Sequence, residues 1–145
     1  MVKNSKIIYV LSFLILAFFT NCDNENACPD CLEVTSKSIK YTDSSGNNLL
    51  FGSQAIYNPD NIIITTGNGE IVAVWKEENT GTIAFDLESD ATSYEIDLSD
   101  TLMDILEFEL AERKSESCCG NVIFSTQTIL NGQEIENNDL IIIIN

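Results

Sequence analysis

The chain of 145 residues contains no histidine, and this absence excludes several kinds of catalytic site. Without an imidazole there is no Ser-His-Asp or Cys-His activation of a nucleophile, no histidine-ligated zinc and no general base of the usual near-neutral kind. We therefore predict that the protein is not an enzyme. A pair of carboxylates that meet in a cleft, as in glycoside hydrolysis, is an alternative that 23 acidic side chains leave open.

Basic residues are also scarce, with 7 Lys and Arg against 23 Asp and Glu and a formal net charge of −16. A field of this sign repels phosphate, so we expect no nucleic-acid partner. The same field keeps the domain soluble and favours cations or basic partners. Several acids alternate with apolar residues and are predicted to lie on the solvent-facing sides of strands, namely Glu95, Asp97, Glu107 and Glu109.

The apolar run near the start of the chain is short. It covers residues 7–19, whereas a membrane-spanning helix needs roughly 20 apolar residues. Lys3 and Lys6 precede it, and a basic start followed by such a run is typical of a secretory signal peptide. No stop-transfer pattern follows, so we predict that residues 1–21 are removed after export.

The end of this leader lacks the small-residue pair that an ordinary signal peptidase needs. The sequence Phe19-Thr20-Asn21-Cys22 instead resembles the lipobox of bacterial lipoproteins, with Phe19 where Leu is usual and Asn21 where Gly or Ala is usual. The resemblance implies that the thiol of Cys22 receives a diacylglyceryl group before the leader is cut away. The alternative is a simple secretory signal, with Cys22 as a further disulfide cysteine.

Lipidation would decide the location of the protein. Two acyl chains hold stably in a membrane because each buried CH₂ contributes about 0.8 kcal/mol. We therefore predict a cell-envelope protein whose partner is the membrane through its lipid anchor, at the outer membrane and facing the periplasm or the surface. The stretch Asp23-Asn24-Glu25-Asn26 resembles the acidic tether that sorts some lipoproteins outward. In other bacteria Asp at the position of Asp23 resembles a signal for retention in the inner membrane.

Four more cysteines would remain after export. Cys28 and Cys31 flank a Pro-Asp pair, and Cys118 and Cys119 are adjacent. An even number in an oxidising compartment predicts disulfides, and four cysteines allow three pairings. Cross-linking between the two pairs avoids a tight ring at either one and closes long loops. A redox CxxC site and a four-thiolate metal site are the alternatives.

Short apolar segments alternate with turn residues along the rest of the chain, which predicts strands. We assign strands to residues 34–42, with a bulge near 36–38, and to 62–66, 70–76, 82–87, 93–98, 106–110, 122–130 and 140–144. Asn131-Gly132 predicts a tight turn, and residues 99–106 could open as a short helix. Because residues 140–144 are all apolar, we expect an inner strand covered on both faces.

These strands predict an all-β fold: an antiparallel β-sandwich, immunoglobulin-like or similar, with a small β-barrel as the alternative. The chain divides into a signal peptide at residues 1–21, the lipidated cysteine with its acidic tether at 22–31, and one β-sandwich domain at 32–145. No cofactor is predicted apart from calcium, for which one set of residues is a candidate.

Two sets of side chains suggest a ligand. Oxygen ligands of the kind that Ca²⁺ prefers come from two turns, at Asp43, Asn47, Asn48 and Asp60. Their spacing is not that of an EF-hand, and turns rich in Asp and Asn usually serve the turn itself. A sugar could stack on aromatic rings, of which the chain offers Trp75, Tyr41, Tyr57 and Tyr94. Because Trp75 follows an apolar run, we expect its indole in the core.

The exported part as a whole resembles the small, acidic, Asn- and Ile-rich lipoproteins that some bacteria export in large numbers, through residues 39–50 and the Asn131-Gly132 turn. The resemblance implies export and a compact β domain, and it implies no activity. We predict a non-catalytic binding or accessory module whose partner is an envelope protein or a glycan. The alternatives are a structural spacer without a ligand, and an enzyme of the paired-carboxylate or thiol-redox type.

The lipid anchor can be tested by mass. We expect the protein isolated from cells to begin at Cys22 and to carry the mass of the acyl groups. A Cys22→Ala chain should lack that mass and leave the membrane fraction, because the thiol is the acceptor. Intact mass spectrometry of membrane and soluble fractions measures both. An uncut precursor in the soluble cell interior, without acyl mass, would contradict the prediction.

Overall fold

A computed structural model of the chain describes residues 35–99, 101–115 and 120–145. The predicted signal peptide and tether and the predicted disulfide cysteines lie outside the described residues. Within the described ranges, no helix is long and apolar enough to cross a membrane.

The described residues form strands and one short 3-10 turn at Pro59–Asn61. The strands are β1 (Ser36–Thr42), β2 (Ile63–Thr66), β3 (Ile71–Val72), β4 (Trp75–Glu77), β5 (Thr82–Asp86), β6 (Ser93–Ser99), β7 (Leu102–Lys114), β8 (Asn121–Leu130), β9 (Gln133–Ile135) and β10 (Leu140–Ile144). Sheet A has the order β10-β1-β5-β4, and sheet B has the order β3-β2-β6-β7-β8-β9. In this part of the chain neither sheet closes into a barrel, and the prediction of an all-β sandwich is confirmed.

Alternate residues of both sheets point inward and form the core. Ile39 on β1 and Phe85 on β5 are fully buried, as are Tyr94 on β6 and Leu106 on β7. The rings of Phe85 and Tyr94 come from different sheets, and their centroids are 4.9 Å apart. Burying one such side chain stabilises a fold by about 1.5–3 kcal/mol, so this alternation holds the sheets together.

A buried hydrogen-bonded group also joins the sheets. The hydroxyl of Tyr41, on β1, donates to Asp104 Oδ2, on β7, at 2.9 Å, and Asn131 Nδ2 donates to Asp104 Oδ1 at 2.8 Å. Burial, followed by the charge of Asp104, raises the pKa of Tyr41 well above its ordinary value, so the phenol stays protonated and donates. Asn131 and Gly132 have φ values of 50° and 78°, and this left-handed pair confirms the tight turn predicted there.

β1 differs from the prediction near Lys37. Its pairings with β5 and β10 show no register shift, so the predicted bulge at residues 36–38 is wrong. Lys37 points into the core, where its Nζ donates to the Asn138 carbonyl at 2.9 Å and lies 5.8 Å from the centre of the Phe108 ring. The alternation continues because the aliphatic stem packs like an apolar side chain while the ammonium reaches a carbonyl.

The predicted strand at residues 70–76 is two strands in different sheets. β3 pairs with β2 in sheet B, whereas β4 pairs with β5 in sheet A. The change of sheet places Trp75 at the edge of sheet A, opposite Ala84, where the residue is 40% exposed. The expectation that Trp75 lies in the core is therefore wrong, because an apolar run does not reveal where the chain leaves one sheet for the other.

The last strand also differs from its prediction. β10 lies at the edge of sheet A and pairs with β1 in parallel, so sheet A is mixed and β10 is not an inner strand. Its inward residues Ile141 and Ile143 are buried, whereas the alternate residues Leu140, Ile142 and Ile144 are exposed. At residues 102–106 the chain is in β7 rather than in the alternative short helix.

The hydrogen bond from Tyr41 to Asp104 should make a measurable contribution to the free energy of unfolding. We expect Tyr41→Phe to lower the free energy of unfolding by about 1–3 kcal/mol, because it leaves a buried carboxylate short of a donor. Urea unfolding followed by fluorescence measures the change. The matched control is Tyr57→Phe, in a ring that contacts Tyr41 edge-on at 6.3 Å between centroids. Equal, small losses in both variants would contradict this role for Asp104.

Candidate functional site

An open groove with a volume of about 620 Å³ lies beside the 3-10 turn. Its lining includes Ile56, Tyr57, Asn58, Asn61, Ile63 and Asp97. Ile63, on β2, and Asp97, on β6, are opposite each other in an antiparallel pairing, so both side chains rise from the same face of sheet B. Because the neighbouring Ile62 and Ile64 are buried, this face is the outer one.

The rim of the groove is built by its local sequence. The side chain of Asn58 accepts a hydrogen bond from the N–H of Asp60 at 3.0 Å and caps the turn Pro59–Asn61, which begins with proline. The N–H of Tyr57 donates to the carbonyl of the buried Leu49 at 3.0 Å. These bonds hold the rim against the core.

A β-bulge adjoins the groove on its other side. The pairing of β6 with β7 shifts by one residue between Asp97 and Ser99, both of which line the groove. A bulge bends its strand and changes the direction of the side chains on it, and bulges are common next to functional sites. The groove is thus formed where two irregular features meet, the capped turn and the bulged strand.

The groove combines apolar walls with a carboxylate. Ile56 and Ile63 are exposed and aliphatic, and Asp97, which lies opposite Ile63, is half-buried. An aliphatic stem that ends in a positive charge, as in Lys or Arg, matches both properties. The hydrogen bond between such a head group and a carboxylate is stronger than a neutral one, particularly where water is partly excluded.

More acids lie on the same face of sheet B. Glu95 and Asp97 are half-buried, and Glu107 and Glu109 are exposed, as predicted for the solvent sides of alternating strands. Within the described residues there are two ion pairs, Lys37 with Asp139 and Lys76 with Asp60, and neither uses these acids. Their charges are therefore directed to the solvent and to whatever approaches this face.

The four aromatic residues considered for sugar stacking do not lie together on one surface. Tyr41 and Tyr94 are fully buried, and their rings contact Tyr57 and Phe85, respectively. Trp75 lies on sheet A, whereas Tyr57 lines the groove on sheet B. A platform of the four rings is thus not formed, and Trp75 remains as a single exposed indole.

The side chains considered for calcium are engaged with other groups of the protein. Asp43 Oδ1 accepts from the N–H groups of Ser45 and Asn47 at 2.9 and 2.8 Å, and its Oδ2 accepts from Asn47 Nδ2 at 2.8 Å. Asp60 forms an ion pair with Lys76. The oxygens of Asp43 thus stabilise its turn, as in other Asp-initiated turns, and the carboxylate of Asp60 is held by an ammonium group.

Asn48 likewise has a structural role. Its Oδ1 accepts from the N–H groups of Leu50 and Phe51, and its Nδ2 donates to the carbonyl of Gly81 at 2.7 Å. Gly81 has a φ of 71° and lies so close to Asn48 that a Cβ would collide with the amide. In the described ranges no group of three His, Cys, Asp or Glu side chains could hold a metal ion. Calcium binding stays a prediction.

The sites predicted on cysteines lie outside the described residues: Cys22 for lipidation, and Cys28, Cys31, Cys118 and Cys119 for disulfides. The disulfides stay a prediction.

Comparison of the chain with protein-family models, with curated proteins and with solved structures found no match. The function is therefore inferred from the chemistry of the groove, since a β-sandwich by itself serves many functions.

The groove was not predicted from the sequence, although one signal for it exists. Three isoleucines occur in succession at residues 62–64, and the middle one must face away from the other two in a strand. An exposed Ile63 was therefore deducible from strand geometry. The position of Ile63 opposite Asp97 was not deducible, because the pairing of β2 with β6 joins segments about 30 residues apart.

The loop at Asp43 has a measurable titration. Hydrogen bonds, first from the Asn47 side chain and then from its N–H, hold the pKa of Asp43 below its ordinary value. The stabilisation by these hydrogen bonds is thus fully present above about pH 4, which is the pKa of Asp43 in the unfolded chain. It is lost as the pH falls through the lower pKa of Asp43 in the folded chain. We expect Asn47→Ala to raise this pKa, and Asn61→Ala, the control, to leave it unchanged. Carbon-detected NMR titration of Asp43 measures both, and a pKa unaltered by Asn47→Ala would contradict the assignment.

Proposed function

We propose that the protein is an envelope lipoprotein, anchored through Cys22 to the outer membrane, whose β-sandwich is a non-catalytic binding module for a basic segment of another envelope protein. The observation that carries the binding role is the groove on sheet B, in which Asp97 lies beside exposed Ile56 and Ile63. The leader, with its lipobox-like end at Cys22, supports the anchored location.

The lining of the groove supports a Lys or Arg side chain as the recognised group. Such a side chain buries its aliphatic stem against apolar surface and keeps its charged head at a polar site. Ile56 and Ile63 supply the apolar surface, and the carboxylate of Asp97 supplies the acceptor. The open shape of the groove suits a side chain that projects from an extended segment rather than an enclosed small molecule.

The charge of the whole chain supports the same partner. A net charge of −16 attracts basic molecules from a distance and speeds their association. The neighbouring acids on this face, Glu95 and Glu107, add to the local field. Long-range attraction would bring a basic segment to the face, and the groove would then select one side chain of it.

The proposal is tested with a synthetic peptide of alternating lysine and valine residues. We expect saturable changes in the amide NMR signals of Ile56, Ile63 and Asp97, with an affinity that falls as salt is added. Asp97→Asn should weaken binding about three- to tenfold, because it removes the carboxylate that accepts the cationic head. Ile63→Ser should weaken binding at unchanged charge.

The matched control is Glu109→Gln, which removes the same charge from the same face of sheet B at a residue that does not line the groove. We expect it to weaken binding less than twofold, since it alters only the screened long-range field. If Glu109→Gln and Asp97→Asn weaken binding equally, the acids act diffusely and the groove is not the site. An absence of saturable changes would also contradict the proposal.

A further inference from the structure

Among the described strands, β10 is an edge strand whose own sequence lacks the features that normally protect an edge. It consists of Leu140-Ile141-Ile142-Ile143-Ile144, and in the described part of the chain it pairs with β1 alone. Edge strands of soluble proteins usually carry a charge, a proline or a bulge that prevents pairing with another chain. β10 has no charged residue and no proline, and its ladder with β1 is regular.

The side chains on the outer face of β10 are exposed as well as apolar. Leu140 is 43%, Ile142 is 55% and Ile144 is 68% exposed. The same residues carry the free backbone groups. Ser38 N donates to the Asp139 carbonyl and Asn145 N donates to the Thr42 carbonyl, so the odd-numbered residues of this segment point their backbone groups at β1. In a parallel ladder the even-numbered residues then direct their N–H and C=O groups away from β1.

The other edges of the two sheets are shorter or charged. β4 (Trp75–Glu77) contains Lys76 and Glu77, β9 (Gln133–Ile135) contains Glu134, and β3 (Ile71–Val72) has two residues. Among the four sheet edges of the described residues, β10 alone offers five consecutive uncharged residues. An extended strand can pair with such a row of N–H and C=O groups along its whole length.

We propose that the strand that pairs with β10 is β10 of a second copy of this chain, in an antiparallel pair about a two-fold axis at Ile142. In this register Ile142 lies opposite Ile142 of the other copy, and Leu140 of each copy lies opposite Ile144 of the other. All of these are residues with free backbone groups, so each pair can exchange two hydrogen bonds. The pairing joins two four-stranded sheets A into one continuous sheet of eight strands.

Charge favours a second copy at this place and register. Two copies with a net charge of −16 repel each other over most of their surfaces, and β10 is an uncharged segment through which they can approach. At the ends of the pair, Asp139 of one copy lies opposite Asn145 of the other, so no acidic side chain faces another acidic side chain. The row of exposed Leu140, Ile142 and Ile144 becomes a row of apolar cross-strand pairs. An isologous contact of this kind closes at two copies.

The proposal is tested by sedimentation of the full chain as isolated from cells. If lipid is attached, the measurement is made in density-matched detergent. We expect a reversible monomer–dimer equilibrium that tightens as salt is added, because salt screens the repulsion between the copies. This salt dependence is opposite to that expected for the groove on sheet B, so the two proposals fail or succeed separately. Ile142→Lys, which sets two ammonium groups against each other at the axis, should weaken the dimer by about tenfold or more.

The control is Ile71→Lys, the same substitution at an isoleucine that is 77% exposed on sheet B. We expect its dimer to match that of the unaltered chain. If circular dichroism shows that Ile142→Lys is unfolded, Ile144→Lys, nearer the end of the strand, gives the same test with a smaller effect on the fold. A monomer at about 0.1 mM, or an undiminished dimer in the folded Ile142→Lys or Ile144→Lys chain, would overturn the proposal.

Discussion

Burial of alternate side chains between two sheets is the interaction on which the rest of this structure depends. The contact of Phe85 with Tyr94 and the hydrogen bond from Tyr41 to Asp104 each join sheet A to sheet B. Once these inward positions are set, the period of two along a strand assigns every neighbouring residue to an outer face. The groove beside Ile63 and the free edge at β10 are therefore consequences of how the core is packed.

The two outer faces differ in chemistry. Sheet B presents carboxylates interspersed with aliphatic residues, beside a groove shaped by a capped turn and a bulge. Sheet A ends in β10, which is apolar and uncharged, although the chain as a whole is strongly acidic. We expect binding of a basic partner to the first surface to weaken as salt is added, whereas pairing of two like-charged molecules through an uncharged strand should strengthen. The two proposed contacts therefore differ in their expected response to salt.

Much of the fold followed from local pattern, and the errors have a common cause. Strand positions such as β5, β6 and β8 were predictable because alternation and turn residues act over a few positions. The bulge at residues 36–38 was wrong, and Trp75 and residues 140–144 were assigned to the wrong environment, because the polarity of a residue was taken as a guide to its burial. A lysine stem can pack in a core, and an apolar strand can lie at an edge, when the neighbouring strands require it.

The candidate site was predictable in part. The acids of sheet B were correctly placed on a solvent-facing side, and the turn at residues 58–61 was recognisable from Asn58 and Pro59. The groove itself requires the pairing of β2 with β6 and the shift between β6 and β7, which depend on long-range register. The sequence by itself determined the all-β class, the hairpin turn at Asn131-Gly132 and the excess of negative charge, because these depend on neighbouring residues and composition. Only the tertiary structure decided which strand lies at an edge and which exposed isoleucine lies beside an acid, because pairing partners are chosen by packing of the whole core.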